Sequence, residues 1–317
     1  MVSGEWMKQE QVIRPPALRI GDTVGIVAPA GPIDPDALAA GCNALSAMGY
    51  KPIYLPSITQ RELYFAGSAQ RRLDELHEMF ARPEVRAIVC ARGGYGCNYL
   101  LPGLDLELIR QNPKIFVGYS DVTTLLTYIN DTTGLLVFHG PMVTKDFALV
   151  GGVDTESWQK ATAGGCYKKT FGPDRVQSLV IGEAQGRLYG GCLSMLVASL
   201  GTPYEIETDG TILFIEDIAA RPYQVDRMLM QLKLAGKLDQ VRGLLFGDFR
   251  DCDPDEGSGY TLQDVIMRAV GDLGVPVAYG LRSGHVCGGN ITLPIGAQAK
   301  IWVADQVTVS WEMSVVS

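Results

Sequence analysis

The stretch "KIFVGYSDVTTLL", residues 114–126, settles the fold class. An apolar run, Ile115 to Val117, meets Gly118, Tyr119 and Ser120, and the chain then takes up a pattern that reads as a helix. A buried strand turning at once into a helix is the unit of parallel sheets, whose strands need a crossover. The hydroxyl at the corner has two readings. Ser120 stands where a nucleophile elbow would place it, although the full G-x-S-x-G pattern is absent because Asp121 and Val122 follow. Ser120 or Asp121 would equally serve as the cap of the helix. On either reading a helix start offers backbone N–H groups to an oxyanion.

Working outward, the same unit repeats. "DTVGIVAPA" is a buried strand ending in a Gly/Pro loop. Asp34 then caps a helix with Pro35 at its first position and Gly49 past its end. "KPIYLP" is the next strand, and Ser68 opens a helix whose Leu73, Leu76 and Phe80 share one face. "VRAIVCA" and "GLLVFHG" complete five strands with the run before Ser120. Continuous apolar strands separated by helices predict a parallel sheet covered on both faces, with its ligand site at the strands' carboxyl ends. The loops "APAGP", "ARGGYG" and "GYSD" sit there. Residues 151–180 are polar, glycine-rich and weakly periodic, and read as a linker carrying some strand. After it come "SMLVASL" as a short helix, "TILFIED" as a strand and "PYQVDRMLMQLKLAG" as a helix. "VRGLLFGDF", a further helix and a strand-rich end follow. The expectation is α/β: a Rossmann-like N-terminal domain over 17–150, the linker over 151–180, and a smaller mixed α/β C-terminal domain over 181–312.

Bulk properties narrow the function. At 317 residues, 47% hydrophobic and 20% charged, the chain has material for two domains. A net charge of −8 without a basic run speaks against nucleic acid or an anionic membrane as partner. The N-terminal stretch lacks the apolar core of a signal peptide, and no run approaches the roughly 20 apolar residues of a membrane span. A cytoplasmic protein is expected. The seven cysteines are scattered, with no C-x-x-C pair, so reduced thiols are expected rather than a disulfide framework or a metal site. No cofactor is called for: "ARGGYG" lacks the Lys and Ser/Thr of a P-loop and the spacing of a dinucleotide fingerprint.

Only three histidines are available as bases. His77 lies mid-helix and reads as exposed. His139 ends the fifth strand and could line a site. His285 lies in the glycine-rich loop "RSGHVCGGN". The paired glycines of "ARGGYG" would let backbone N–H groups approach a ligand as an oxyanion hole or phosphate cradle, or would simply make a tight turn. In "FIEDIAARPYQVDRML" alternation puts Glu216 and Asp217 on opposite faces, so only one can face a cleft.

The order of "RGGYG", "GYSD", "HGPM", "LYGGCLSMLVASLGTPY", "FIEDIAARPYQVDRMLMQL" and "GHVCGGNITLPIGA" resembles the LD-carboxypeptidase family of serine peptidases, from about Leu18 to Val309. That family includes muropeptide-recycling enzymes and microcin C self-immunity peptidases. The resemblance implies an active site between two domains with a Ser–His–Glu triad at Ser120, His285 and Glu216. It also implies oxyanion donors at the backbone of Gly94 and Asp121, a murein tetrapeptide as substrate, and a homodimer. Arg92, Gly93, Tyr95, Tyr119 and Arg221 are the candidate substrate contacts, the two arginines as clamps for a terminal carboxylate. Opening and closing between the domains would gate the serine–histidine distance. A microcin-type activity would need an aromatic platform for a nucleobase, for which Trp158 is the candidate. A reading from another class is a non-catalytic binding protein that keeps the cleft. The chain departs from the family at Cys192, where an Asn is usual and whose position is read as bordering the cleft, so that the family's substrate contact there does not carry over, and at Val286, where a Gly is common.

Overall fold

The computed structural model describes residues 12–311 and 313–317. The first eleven residues, read above for a leader, and Glu312, the end of the expected C-terminal domain, lie outside the described residues. The N-terminal half builds as its pattern predicts. Strand β1 (Thr23–Val27) leads to α1 (Pro35–Ala47) and β2 (Lys51–Ile53). Then follow α2 (Ala69–Ala81), β3 (Val85–Cys90), α3 (Leu106–Gln111), β4 (Ile115–Gly118), α4 (Thr123–Thr133) and β5 (Val137–His139). The caps are those expected: Asp34 accepts from the Asp36 and Ala37 amides, and Ser68 from the Arg71 amide. The five strands are parallel, in the order β5-β4-β3-β1-β2.

The second half forms an eight-stranded mixed sheet. The stretch read as a linker contributes α5 (Thr155–Thr162) and two of its strands, β6 (Tyr167–Phe171) and β7 (Gln177–Val180). Then come β8 (Gly182–Cys192), α6 (Leu193–Ala198), β9 (Thr211–Ile218), α7 (Pro222–Leu234), β10 (Gly243–Arg250), α8 (Leu262–Val270) and β11 (Val277–Leu281). Strands β8, β9, β10 and β11 are mutually parallel, and β7 pairs antiparallel to β11 at one edge. Helix α7, expected as a helix, buries Val225, Leu229 and Leu232 along one face at i, i+4 and i+7. Each such side chain contributes about 1.5–3 kcal/mol through removal from water.

One connection is not in the sequence reading. After β11 the chain crosses back, and β12 (Leu293–Ile295) joins the first sheet, antiparallel to β5. The chain then returns to the second sheet with β13 (Gln298–Val303) and β14 (Val307–Trp311). The loop carrying His285 is therefore strung between the two sheets, anchored in one by β11 and in the other by β12. Among the described residues no helix is long and apolar enough to cross a membrane.

Candidate active site

The corner after β4 is a sharp turn of the kind the elbow reading calls for. Tyr119 is extended, with φ −154° and ψ −171°, and Ser120 then takes φ +63°. A left-handed conformation in a residue with a Cβ costs on the order of 1–3 kcal/mol and persists only where the surroundings impose it. Neither Ser120 nor Asp121 caps α4: the capping position is Val122, without a side-chain hydrogen bond. The helix-cap reading is therefore set aside for both. The Asp121 carboxylate reaches back instead and accepts from the Cys97 amide at 2.7 Å, tying the corner to the loop after β3. Burial raises the Asp121 pKa, opposed by hydrogen bonds from Cys97 and the nearby Arg72 guanidinium.

That loop carries Gly93 and Gly94. A Cβ on Gly93 would stand 2.6 Å from the Ser120 Cβ and 2.9 Å from its Oγ. Only a glycine lets this backbone lie against the hydroxyl. Tyr95, 41% exposed, joins a cluster of rings with Tyr64, Phe65 and Tyr99 at centroid distances of 5.8–6.1 Å. Arg92 is occupied with backbone carbonyls, at 3.2 Å from those of Gly93 and Pro32.

The opposite wall comes from β9 and the crossing loop. Glu216 is fully buried and His285 half-buried. Glu216 Oε2 accepts from His285 Nδ1 at 2.7 Å and from the His285 amide at 3.1 Å. This fixes the tautomer: Nδ1 carries the proton, and Nε2 is left as an acceptor for the Ser120 hydroxyl, 3.0 Å away. Asp217 points to the other face, where its carboxylate accepts from the Ser194 and Ile218 amides. Gly284 permits the approach, since a Cβ there would stand 2.5 Å from the Glu216 carboxyl carbon.

The charges follow from this packing. Burial pushes the Glu216 pKa up, but the facing imidazoles of His285 and His139 overcome it and hold the carboxyl at about 2. Burial pulls the His285 pKa down, and the charge and hydrogen bond of Glu216 outweigh it, so the net shift is upward.

Four neighbours of this line were not singled out as its supports. Asn290 grips the turn before His285, accepting from the Gly284 amide at 3.0 Å and donating to the Gly284 carbonyl at 3.1 Å. It also donates to Asp146 at 3.0 Å. Asp146 accepts from the Met142 amide at 2.8 Å and hydrogen-bonds the Tyr119 hydroxyl. Burial raises the Asp146 carboxyl to about 6 against these bonds. Tyr119 packs edge-on against the His285 ring at 5.1 Å. At 5% exposure it lies against the imidazole and offers little surface for the substrate contact expected of it. Arg282 donates to the Cys287 and Gly288 carbonyls at 3.2 and 2.5 Å and closes the far end of the loop.

Other expectations change for local reasons. Arg221 sits at the start of α7, largely exposed, and pairs with Asp255 at 3.4 Å. Cys192 is 3% exposed and turned inward to Ser194 and Asp217, so its thiol does not line the cleft edge as expected; burial raises its pKa. Trp158 is fully buried against Phe147 and offers no platform. His77 is half-buried and accepts from the Asp105 amide, where free exposure was expected.

Known proteins resemble this chain over nearly their whole length. Residues 24–140 match the LD-carboxypeptidase N-terminal domain and residues 185–301 the LD-carboxypeptidase C-terminal domain. A Bacillus subtilis (strain 168) protein described as "Probable murein peptide carboxypeptidase" is 42% identical, over 93% of each chain. Among solved structures, the microcin C7 self immunity protein MccF superposes with a TM-score of 0.87 at 27% identity, covering 96% of this chain and 100% of that one. Muramoyltetrapeptide carboxypeptidase from Oxalobacter formigenes gives a TM-score of 0.83 at 28% identity, over 92% and 98%. By sequence and by fold, this chain belongs to the LD-carboxypeptidase family.

Proposed function

We propose that this chain is a serine-type LD-carboxypeptidase that removes the terminal D-alanine from murein tetrapeptides, with Ser120 as nucleophile, His285 as general base and acid, and Glu216 as its orienting carboxylate. The observation that carries this reading is the unbroken line from Ser120 Oγ to His285 Nε2 at 3.0 Å and from His285 Nδ1 to Glu216 at 2.7 Å. The relatives named for murein peptides supply the substrate class. Cytoplasmic action and a homodimer belong to the same reading and rest on the family resemblance. The microcin-type alternative loses the platform offered for it, because Trp158 is buried.

In this reading each step is assigned to one of these groups or to the backbone donors implied by the family resemblance. Ser120 Oγ attacks the carbonyl carbon of the amide that joins diaminopimelate to D-alanine, while its proton passes to His285 Nε2. The carbonyl π pair becomes an oxyanion, held by the backbone N–H groups of Gly94 and Asp121. One such donor is typically worth roughly 3–4 kcal/mol. His285 gives the proton to the amide nitrogen, the C–N bond breaks and D-alanine leaves. Water then attacks the acyl ester, passing its proton through His285 back to Ser120, and the tripeptide departs as a carboxylate. The test is D-alanine release from L-Ala-γ-D-Glu-meso-diaminopimelate-D-Ala. Wild type releases it, and Ser120→Ala is slower by about 10⁴-fold or more. Equal rates in the two, or no release by wild type, would sink the proposal.

A further inference from the structure

Behind Glu216 lies a histidine that the proposed mechanism does not use. His139, at the end of β5, is fully buried. Its Nε2 and the second carboxylate oxygen of Glu216, Oε1, are 3.6 Å apart. Both atoms are buried without a hydrogen-bond partner, so two orphaned groups face one another from the two sheets. The gap is too narrow for an intervening water.

Counting protons decides what sits there. Ser283 Oγ is 2.7 Å from the Ile291 carbonyl, which only accepts, so the single hydroxyl proton points to that carbonyl. His139 Nδ1 lies 3.0 Å from the same Oγ and must therefore be the donor in that contact. With Nδ1 protonated, a neutral imidazole would aim the bare Nε2 lone pair at a carboxylate oxygen inside a dry pocket. One more proton on Nε2 removes the conflict and balances the charge. From this we infer that His139 is a charged positioning residue, an imidazolium whose Nε2–H faces Glu216 and completes a line Ser120–His285–Glu216–His139. The Phe214 ring at 5.0 Å and the Tyr119 ring at 6.0 Å flank the cation.

This inference rests on the proposed peptidase reading and deepens it. His139 pins the oxygen of Glu216 that His285 does not use and keeps the buried carboxylate ionised. It also opposes the pull of Glu216 on His285, leaving Nε2 of His285 available as a base nearer neutral pH. The titratable groups around the pair are Glu216 and Asp217 from β9, Asp248 from β10, Tyr119 after β4, His285 on the crossing loop, Asp146 beyond Tyr119 and Cys192 from β8.

Two measurements test it. In the full chain labelled with ¹⁵N-histidine, ring resonances assigned by single His→Gln variants report each protonation state. His139 is expected to hold protons on both nitrogens at pH 8, where a free imidazole of pKa about 6.5 is neutral. A bare His139 nitrogen at that pH overturns the inference. This readout needs no activity, so it still decides if the peptidase reading fails or if a His139 variant does not fold. The second measurement is the pH profile of kcat/KM for His139→Gln, which keeps a donor toward Glu216 but removes the charge. Without the cation the His285 pKa rises, so the acid limb moves upward by about one pH unit. An acid limb that stays in place also overturns the inference.

Discussion

The two walls of the cleft are built on opposite principles. On the nucleophile wall the groups are small and the backbone does the positioning: Ser120 is held at φ +63° and Gly93 presses its main chain against the hydroxyl. On the acid–base wall the backbone is held by buried polar side chains, two of them lent by the first half of the chain: His139 faces Glu216, and Asp146 with Asn290 clamps the turn at Gly284. The first wall stores its cost as conformational strain, the second as desolvated charge. Damage to the two walls should therefore have different thermodynamic signs.

The largest effect is expected on the charged wall. Glu216→Ala removes the acceptor of His285 Nδ1 and leaves the imidazole free to turn, for a fall in kcat/KM of about 10⁴-fold. It also strands a buried partner, and breaking a buried pair costs roughly 3–5 kcal/mol. Unfolding in urea together with D-alanine release measures both. A Glu216→Ala protein as stable as wild type would show that the pair carries no buried charge, and would erase the contrast between the walls.

Next comes Gly93→Ala on the opposite side. The added methyl would meet the Ser120 Cβ at 2.6 Å, so the serine or the loop must shift. Displacing the nucleophile by about 1 Å costs on the order of 10²-fold in kcat. Gly93 is itself buried, so the melting temperature should fall, but by less than in Glu216→Ala, which strands a buried charge. A Gly93→Ala enzyme with wild-type kcat would mean that the close approach is incidental.

The fold was legible where periodicity is strong. Five strands, the helices after Asp34, Ser68 and Ser120, the two caps and helix α7 could all be read because each is local, whereas the short α3 was not read. Strand β12 could not: "LPI" is three residues long, and nothing local states that it belongs to the first sheet rather than the second. The same limit applies to the site. Ser120, Glu216 and His285 were named through motif order, and their 165-residue reach across the chain came from the resemblance, not from spacing. Asp146 and Asn290 meet across 144 positions, and no sequence signal ties a buried carboxylate to that particular amide. His139 had a faint signal, since it ends a parallel strand at the carboxyl side where ligand sites form. The left-handed Ser120 is a tertiary effect, imposed on a residue whose own preference is otherwise.

Asp146 sharpens the comparison through pH. Its carboxyl is raised by burial from 3.8 to about 6, whereas that of Glu216 is lowered from 4.5 to about 2. A raised carboxyl binds its proton more tightly in the folded state. Its stabilising contribution is complete below the unfolded pKa and is lost as pH rises toward 6. Glu216 behaves oppositely: its contribution is present above 4.5 and lost as pH falls toward 2. Asp146→Asn cannot titrate, so the stability difference, wild type minus variant, should fall between pH 4 and pH 7 by on the order of 3 kcal/mol. Chemical denaturation at several pH values reads this. A difference that rises with pH would place the charge of Asp146 among stabilising contacts and would reverse its assignment.

The smallest effect tests the strain itself. Ser120→Ala and Ser120→Gly both lose the hydroxyl and its bond to His285, so they share the loss of activity and differ only in backbone. At an ordinary position glycine is less stable than alanine by roughly 0.5–1 kcal/mol, because it loses more freedom on folding. At φ +63° the order should invert, since alanine keeps a Cβ that collides with the following carbonyl and glycine does not. Ser120→Gly is expected to be the more stable of the two by about 1 kcal/mol. Melting both proteins side by side is enough to see the sign. If alanine proves the more stable, the corner holds no strain, and the nucleophile is positioned by its neighbours' side chains in the same way as the base.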